Sequence, residues 1–389
     1  MQKLKIFAGF FILFLALFYF ADSRLKLEET VPVSPKIREI VERPVFTSED
    51  LTLRKTSEKF YEQTLLRSRF NGGILVSRNG KIIFEAYNGL TEVLSGDRIN
   101  ANTSFHLASV SKTITAMALL RLFEEKSFSI DQPVSNFLKG FPFPKITVRN
   151  LLAHRSGLPN YVHFAEHLGW DTNKKLTNQD ILQLIIEKSR SLNIGRPNAY
   201  FDYCNTNYAL LALIIEKVSS TSFSSYLEQT IFKPLGMNQS FVFSMDKADS
   251  VLPSFKFNNR KEPIMFLDAV YGDKNIYSTP RDMMKWDMAL YDTSFFSKNI
   301  TDEAFRGYSY EKKGVKNYGL GWRLYEMPSG KKIVYHNGWW HGNNTVFSRL
   351  PQDTTVIIVL GNKYNRSIYQ AKKIAGIFEG YGITLDDDE

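Results

Sequence analysis

The 389-residue chain has a single cysteine, Cys204, which excludes an internal disulfide framework and any metal site built from several cysteines. It has no extended basic run and no interleaving of basic with aromatic residues, although its formal net charge is +9. Nucleic-acid modules carry such features, so no nucleic-acid partner is expected. The positive balance reads as general surface character, suited to an anionic neighbour such as a cell-wall polymer or a membrane surface. Internal repeats and low-complexity tracts are also lacking. Only one long uncharged apolar run occurs, from Ile6 to Phe20. Lys3 and Lys5 precede it and Ala21-Asp22-Ser23 follow it, the layout of an export signal. The run is long for a signal core and short of the roughly 20 residues that span a bilayer. Export to the periplasm or the extracellular side is therefore expected, with residues 6–20 either removed or retained as an inner-membrane anchor. No cysteine follows the run, so a lipid-modified start is not expected.

Hydrophobic residues make up 43% of the chain, enough for a sizeable core. After a segment of about residues 1–23 for targeting, residues 24–50 carry Pro32, Pro35 and Pro44 without a sustained period and read as a spacer. A helix is predicted around Leu51 to Arg67, then two strands around the Asn79-Gly80 hairpin turn. The middle is mainly helical: Asn178 to Arg190, Tyr208 to Val218, Phe223 to Phe232, and Pro280 to Leu290, the last opened by a Thr279 cap and a proline. Strands return at Lys332 to His336, Asn344 to Leu350 and Thr354 to Leu360, before a helix at about Ser367 to Phe378 and an acidic tail, 382–389. Strands at both ends with helices between them predict an α+β fold, an α/β/α sandwich. Its antiparallel sheet is assembled from both chain ends over residues 51–381, with a helical subdomain inserted at about 125–310.

Ser109 and Lys112 are spaced i, i+3 and so share one face of a helical turn. The following helix, Thr113 to Phe123, is apolar nearly all round, with Arg121 as its only charge, which places it inside a protein. Burial at its start favours the uncharged amine, beside a serine it can activate; that pattern points to nucleophilic catalysis. Ser-x-x-Lys alone is weak, since it also occurs at Ser244/Lys247, Ser309/Lys312 and Ser329/Lys332, where no buried helix follows. A second pattern, Tyr203-Cys204-Asn205, stands just ahead of the apolar helix, and Tyr335-His336-Asn337 repeats its spacing. The third, His336-Asn337-Gly338, ends a strand; His167-Leu168-Gly169 is spelled alike.

Together and in this order, these patterns resemble the serine β-lactamase and penicillin-binding protein superfamily, in its class C-like branch of serine hydrolases, D-alanyl-D-alanine carboxypeptidases and esterases. Leu151-Leu-Ala-His-Arg-Ser-Gly157-Leu-Pro159, Pro234-Leu-Gly-Met237, Tyr277-Ser-Thr279 and Tyr318-Gly-Leu-Gly-Trp322 carry the resemblance further, over about residues 52 to 380. It implies a β-lactamase/transpeptidase-like fold, Ser109 as the acylated nucleophile and Lys112 as its base. Tyr203 would carry protons to the leaving group and the deacylating water, with its phenol acidified by Lys112 and His336 as neighbouring positive or hydrogen-bonding groups. Asn205 would hold Lys112 and the substrate amide, and the oxyanion would lie between the backbone N–H groups of Ser109 and Trp339, next to Gly338. His336 stands where β-lactamases have lysine, which argues for a peptidase or esterase rather than a β-lactamase.

The expected function is therefore an exported serine hydrolase that cleaves an amide or ester through a Ser109 acyl-enzyme, on a small-molecule or peptide substrate with cell-wall derivation in view, without cofactor or metal. The alternatives are a β-lactamase proper and a non-hydrolytic penicillin-binding sensor or cell-wall binding protein. His154 reads as structural support. His163, Glu166 and His167 have near-metal spacing but read as a solvated helix face, and Cys204 as a small buried filler.

Overall fold

A computed structural model describes residues 46–92 and 96–381. The targeting segment, most of the spacer and the acidic tail lie outside the described residues. The first helix, α1 (Ser48–Phe60), starts three residues earlier than the periodicity predicts. Thr47 and Asp50 cap it reciprocally, each side chain taking the other's backbone N–H. A π turn and a 3₁₀ turn continue it to Ser68. The hairpin follows as β1 (Gly72–Arg78) and β2 (Lys81–Asn88), with Asn79 and Gly80 both at positive φ, as a tight type I′ turn requires.

Next come β3 (Phe105–His106) and the long helix α2 (Ser111–Glu125). The helical middle contains α3 (Val148–Leu152), α4 (Tyr161–His167), α5 (Asn178–Glu187), α6 (Asn205–Ser219) and α7 (Phe223–Leu227). Then follow β4 (Phe241–Val242), β5 (Ile276–Ser278), α8 (Pro280–Ala289) and α9 (Lys298–Ala304). The chain closes with β6 (Lys316–Tyr318), β7 (Arg323–Glu326), β8 (Lys332–Trp340), β9 (Asn343–Leu350), β10 (Thr355–Gly361) and a 3₁₀ helix, Arg366–Ile377. β6 and β7 are too short for their alternation to stand out in the sequence.

The main sheet runs β2-β1-β10-β9-β8-β7-β6, antiparallel throughout. N-terminal and C-terminal strands meet within it, where β1, second from one edge, pairs with β10 from Gly72 opposite Gly361 to Arg78 opposite Thr355. A sheet covered on both faces reads as a continuous apolar run, and Thr-Val-Ile-Ile-Val-Leu-Gly of β10 is buried at every position. Ile357 and Val359 face one layer with Leu53, Phe60, Ile368 and Ile374 from α1 and the C-terminal helix. Val356, Ile358 and Leu360 face the other, with α2 and the helical middle. This is the expected α/β/α sandwich. A separate small sheet, β3-β5-β4, ties the start of α2 to the later part of the helical middle.

α2 is buried nearly all round because the sheet takes one side and α6 the other. Gly321, at φ 85°, lets the Tyr318–Trp322 turn lie directly on it; a Cβ there would overlap Ala116 and sit 3.1 Å from the Lys112 carbonyl oxygen.

Beneath the sheet, Arg349 of β9 is ion-paired to Asp287 of α8, with both side chains almost wholly buried. Burial pushes the Asp287 carboxyl up against the opposing pull of Arg349. Replacing one member strands the other's charge in the interior, so Arg349→Met is expected to lower unfolding free energy by about 3–5 kcal/mol, checked by urea denaturation. A loss under about 1 kcal/mol would mean that water reaches the pair.

Candidate functional site

Ser109 lies in a single 3₁₀ turn, Ala108–Val110, that runs straight into α2. The residue before it, Ala108, is held at φ 49°, a left-handed conformation costly for a residue with a Cβ. Its N–H donates to His106 Nδ1 at 3.0 Å. That leaves the His106 proton on Nε2, which donates to Asn275 Oδ1 at 2.8 Å. Burial holds this ring neutral, its pKa pushed down to about 4. His106 thus fixes the sharp turn that presents Ser109, a role its place in Phe105-His106-Leu107 did not reveal.

Lys112, fully buried in the first turn of α2, donates through Nζ to Ser109 Oγ at 3.1 Å and to the Asp273 carbonyl oxygen at 2.7 Å. The expected pairing of serine and lysine is present. The expected Lys112–Asn205 hydrogen bond is not formed; the amine instead meets the Asp273 carbonyl, where the run Gly272–Ile276 crosses the start of α2. Asn205, at the start of α6, has its Oδ1 buried without a hydrogen-bond partner and lines the cavity in front of Ser109.

Tyr203 packs its ring 5.1 Å from Lys112 Nζ and 5.3 Å from the Arg323 guanidinium carbon. Its hydroxyl is buried and has no partner. A buried phenol without a hydrogen bond is uncommon, and at a cavity wall it is what a group awaiting a substrate partner looks like. His154, at φ 53°, stacks 4.4 Å from Tyr203 and accepts the Cys204 N–H at 3.1 Å. Burial keeps it neutral, so it supports Tyr203, as expected. Cys204 is buried, with its thiol pushed up to about 11, which makes it an inert filler.

His336 departs from expectation. Its Nδ1 lies 2.7 Å from the Asn337 carbonyl, so it carries the proton, and Nε2 accepts from the Tyr318 hydroxyl at 3.2 Å. Burial first, then the Arg323 and Lys112 cations, hold the ring neutral, well below the ordinary histidine range. Its ring centre is 6.0 Å from that of Tyr203. His336 therefore stands behind the site as a neutral acceptor and supplies no positive charge to Tyr203. Arg323 does, a residue that the Tyr318-Gly-Leu-Gly-Trp322 pattern could have flagged because it follows immediately.

Gly338 brings β8 against the Ser109 turn. A Cβ there would fall on the Thr345 hydroxyl and 2.6 Å from the Leu107 carbonyl oxygen, so only glycine fits. The Tyr369 hydroxyl donates to the Gly338 carbonyl at 2.9 Å and holds the strand from its far side. Trp339 is 63% exposed, so its side chain walls the opening. Ser109 and Trp339, the expected oxyanion donors, both line a cavity of about 1070 Å³ with Tyr203, Asn205 and Arg323. Beyond Trp340 and His341 lies a second cavity of about 520 Å³ that holds none of Ser109, Lys112 or Tyr203. Asp268 fixes the partition by accepting from Trp340 Nε1 at 2.7 Å and pairing with His341 Nε2 at 3.0 Å. Burial raises the Asp268 carboxyl, but His341 and its other donors outweigh this and hold it below the ordinary range.

The metal-like spacing at His163, Glu166 and His167 falls on the open side of α4, where the His167 ring bonds the His163 carbonyl at 2.6 Å. Among the described residues no group of three His, Cys, Asp or Glu side chains is placed to hold a metal ion, and no helix is long and apolar enough to cross a membrane.

The beta-lactamase family matches residues 59–378. The chain is similar to a penicillin-binding protein of Bacillus subtilis (strain 168), 31% identical over 333 residues that cover 82% of this chain and 73% of that protein. It is also similar to the teichoic acid D-alanine hydrolase of Staphylococcus aureus (strain NCTC 8325 / PS 47), 26% identical over 337 residues, 85% of this chain and 79% of that protein. A solved penicillin binding protein from Bacillus halodurans shares the fold, with a TM-score of 0.72 at 24% identity over 82% of this chain and 98% of that one.

Three neutral buried histidines, His106, His154 and His336, give a stability prediction. Each binds its proton more weakly folded than unfolded, where the pKa is about 6.5. Below that pH the unfolded chain takes up more protons, so this stability is fully present above about pH 6.5 and lost as pH falls, for His106 through about 4. The melting midpoint is expected to drop between about pH 7 and pH 5, with a smaller drop in His336→Asn. A midpoint that rises over this interval would contradict the neutral assignments.

Proposed function

We propose, from the premise that this chain belongs to the beta-lactamase family, that it is an exported serine hydrolase cleaving an ester or amide through an acyl-enzyme on Ser109. The observation that carries this reading is the 3.1 Å contact between Lys112 Nζ and Ser109 Oγ at the wall of the large cavity. In the uncharged form, the Lys112 amine takes the Ser109 proton as Oγ attacks the substrate carbonyl carbon. The oxygen that becomes negative lies between the backbone N–H groups of Ser109 and Trp339. Tyr203, with its unpartnered hydroxyl, hands a proton to the departing alcohol or amine. Water then adds to the acyl carbon, gives up its proton along the same path, and expels Ser109. Asn205 orients the substrate amide.

The substrate class follows from the relatives and the pocket. One relative is a teichoic acid D-alanine hydrolase, so an aminoacyl ester or amide on a cell-wall-derived molecule is the first choice. Neutral His336, in the place of the β-lactamase lysine, removes one fixed charge for a β-lactam carboxylate. Arg323 favours a second reading, in which penicillin acylates Ser109, because it puts a cation on the cavity wall. The basic and apolar start of the chain supports export.

Intact mass after treatment with a fluorophosphonate, and separately with a penicillin, tests both readings. The proposal expects a fluorophosphonate adduct that Ser109→Ala abolishes and that Lys112→Met slows by about 10²–10⁴-fold. D-alanyl ester turnover is expected in the wild type and not in Ser109→Ala. No adduct from either reagent, or one that survives Ser109→Ala, overturns the proposal; a long-lived penicillin adduct without ester turnover selects the second reading.

A further inference from the structure

We propose that Tyr369, set by Asn344 and Asn365, is a positioning residue for the oxyanion: its phenol fixes and polarises the single peptide group whose N–H, that of Trp339, meets the developing charge. This rests on the reading of the chain as a Ser109 hydrolase with that N–H as a donor.

The Gly338 carbonyl and the Trp339 N–H are the two ends of one peptide, which is planar and trans, so they point opposite ways. The Tyr369 hydroxyl donates to that carbonyl at 2.9 Å. A tie that only held β8 to the C-terminal 3₁₀ helix could use any carbonyl of the strand. This one lies on the peptide that carries the donor. The peptide plane cannot turn without breaking the phenol bond, so the N–H keeps one direction. An amide whose oxygen accepts a hydrogen bond also donates more strongly through its N–H, because bonds in a chain polarise one another.

The direction of the phenol proton is determined. A backbone carbonyl can only accept, so the proton lies towards Gly338. The phenol oxygen in turn accepts from Asn344 Nδ2 at 2.8 Å. The Asn344 amide has one orientation, because its Oδ1 accepts the Asn365 N–H at 2.8 Å and a backbone N–H can only donate. The bonds therefore run one way, from Asn365 through Asn344 and Tyr369 to the Gly338 carbonyl. Their far end is anchored as well. Asn365 caps the C-terminal 3₁₀ helix by accepting the Ser367 N–H at 2.9 Å, and its Nδ2 donates to Ser68 Oγ, at the end of the α1 extension, at 2.9 Å. Asn344 and Asn365 are both buried.

On its other side the peptide has no room to shift. A Cβ on Gly338 would come within 2.6 Å of the Leu107 carbonyl oxygen, to which the Thr345 hydroxyl is also bonded at 2.7 Å. Leu107 opens the turn that presents Ser109. That contact sets the distance between the two proposed donors, and the phenol sets the tilt of the second.

The test is fluorophosphonate labelling of the full chain, followed to saturation. As Ser109 Oγ bonds to phosphorus and fluoride leaves, the phosphoryl oxygen takes the oxyanion position. Tyr369→Phe keeps the ring and removes the hydroxyl. It should slow the labelling step about tenfold at an unchanged half-saturating concentration, short of the hundredfold or more that losing a donor outright costs. Protection by phenylboronic acid, whose adduct puts a boron-bound oxygen in the same place, should weaken by a similar factor. Asn344→Asp should slow the step at least as much, because its carboxylate draws the phenol proton away from Gly338. In that background Tyr369→Phe should cost nothing further. An unchanged labelling step in Tyr369→Phe, or the same cost in both backgrounds, overturns the proposal. Where thermal melting shows Asn344→Asp to be unfolded, the labelling step and boronate protection of Tyr369→Phe decide alone. Absence of labelling in the wild type is a different failure: it removes the hydrolase reading, and this inference with it.

Discussion

A lysine side chain sealed inside a protein must find acceptors for its N–H groups within a few ångströms, because water cannot serve. At Lys112 the acceptors are one hydroxyl, Ser109 Oγ, and one backbone carbonyl, that of Asp273. Much of the fold follows from that pair of bonds. The Ser109 turn has to run into α2 without a break, so that the serine hydroxyl and the amine stay one helical turn apart. The run Gly272–Ile276 has to cross the helix start, which the small β3-β5-β4 sheet and the Thr115, Ser111 and His106 bonds secure. The rest of α2 is then buried between the sheet and α6, which leaves the pair no freedom to drift.

Around this amine the protein places positive charge selectively. Three histidines close to the site are stripped of charge by burial, each with hydrogen bonds that identify its neutral form or leave it no proton acceptor. Lys112 Nζ and the Arg323 guanidinium carbon lie 5.1 and 5.3 Å from the centre of the Tyr203 ring. In the proposed mechanism Tyr203 hands a proton to the leaving group, and the cation beside its ring besides Lys112 is Arg323, where the sequence pointed to His336.

The sequence was legible where a signal is local and periodic. The Asn79-Gly80 hairpin, the β9 and β10 strands, the capped α8 helix and the largely apolar α2 each declared themselves within a dozen residues. The pairing of Ser109 with Lys112 could be read because both sit in one helical turn. What escaped notice depends on contacts far apart in the chain. Asp273 and Lys112 are 161 positions apart, and nothing in Gly-Asp-Lys-Asn reveals that its backbone will be needed by an amine. His336 was misjudged for a related reason: alternation along a strand gives the face of a residue but not the depth of burial behind it. Tyr318, whose hydroxyl donates to that ring, comes from a strand too short to be seen.

The end of β8 is held in a way that bears on the proposed oxyanion donors. Gly338 touches the Leu107 carbonyl and Thr345, and Thr345 itself donates to that carbonyl at 2.7 Å. Tyr369 holds the Gly338 carbonyl from the other side, and Asp268 pins Trp340 and His341 just beyond. A donor that stabilises developing charge is worth most when it cannot reorient as the charge appears. Trp339 sits between these restraints, its backbone clamped while its indole stays exposed at the cavity mouth. The same residue can then present a rigid N–H to the reacting carbonyl and a broad apolar face to the rest of the substrate. Selectivity would thus be tuned by exchanging the indole, with the geometry of the chemistry left untouched.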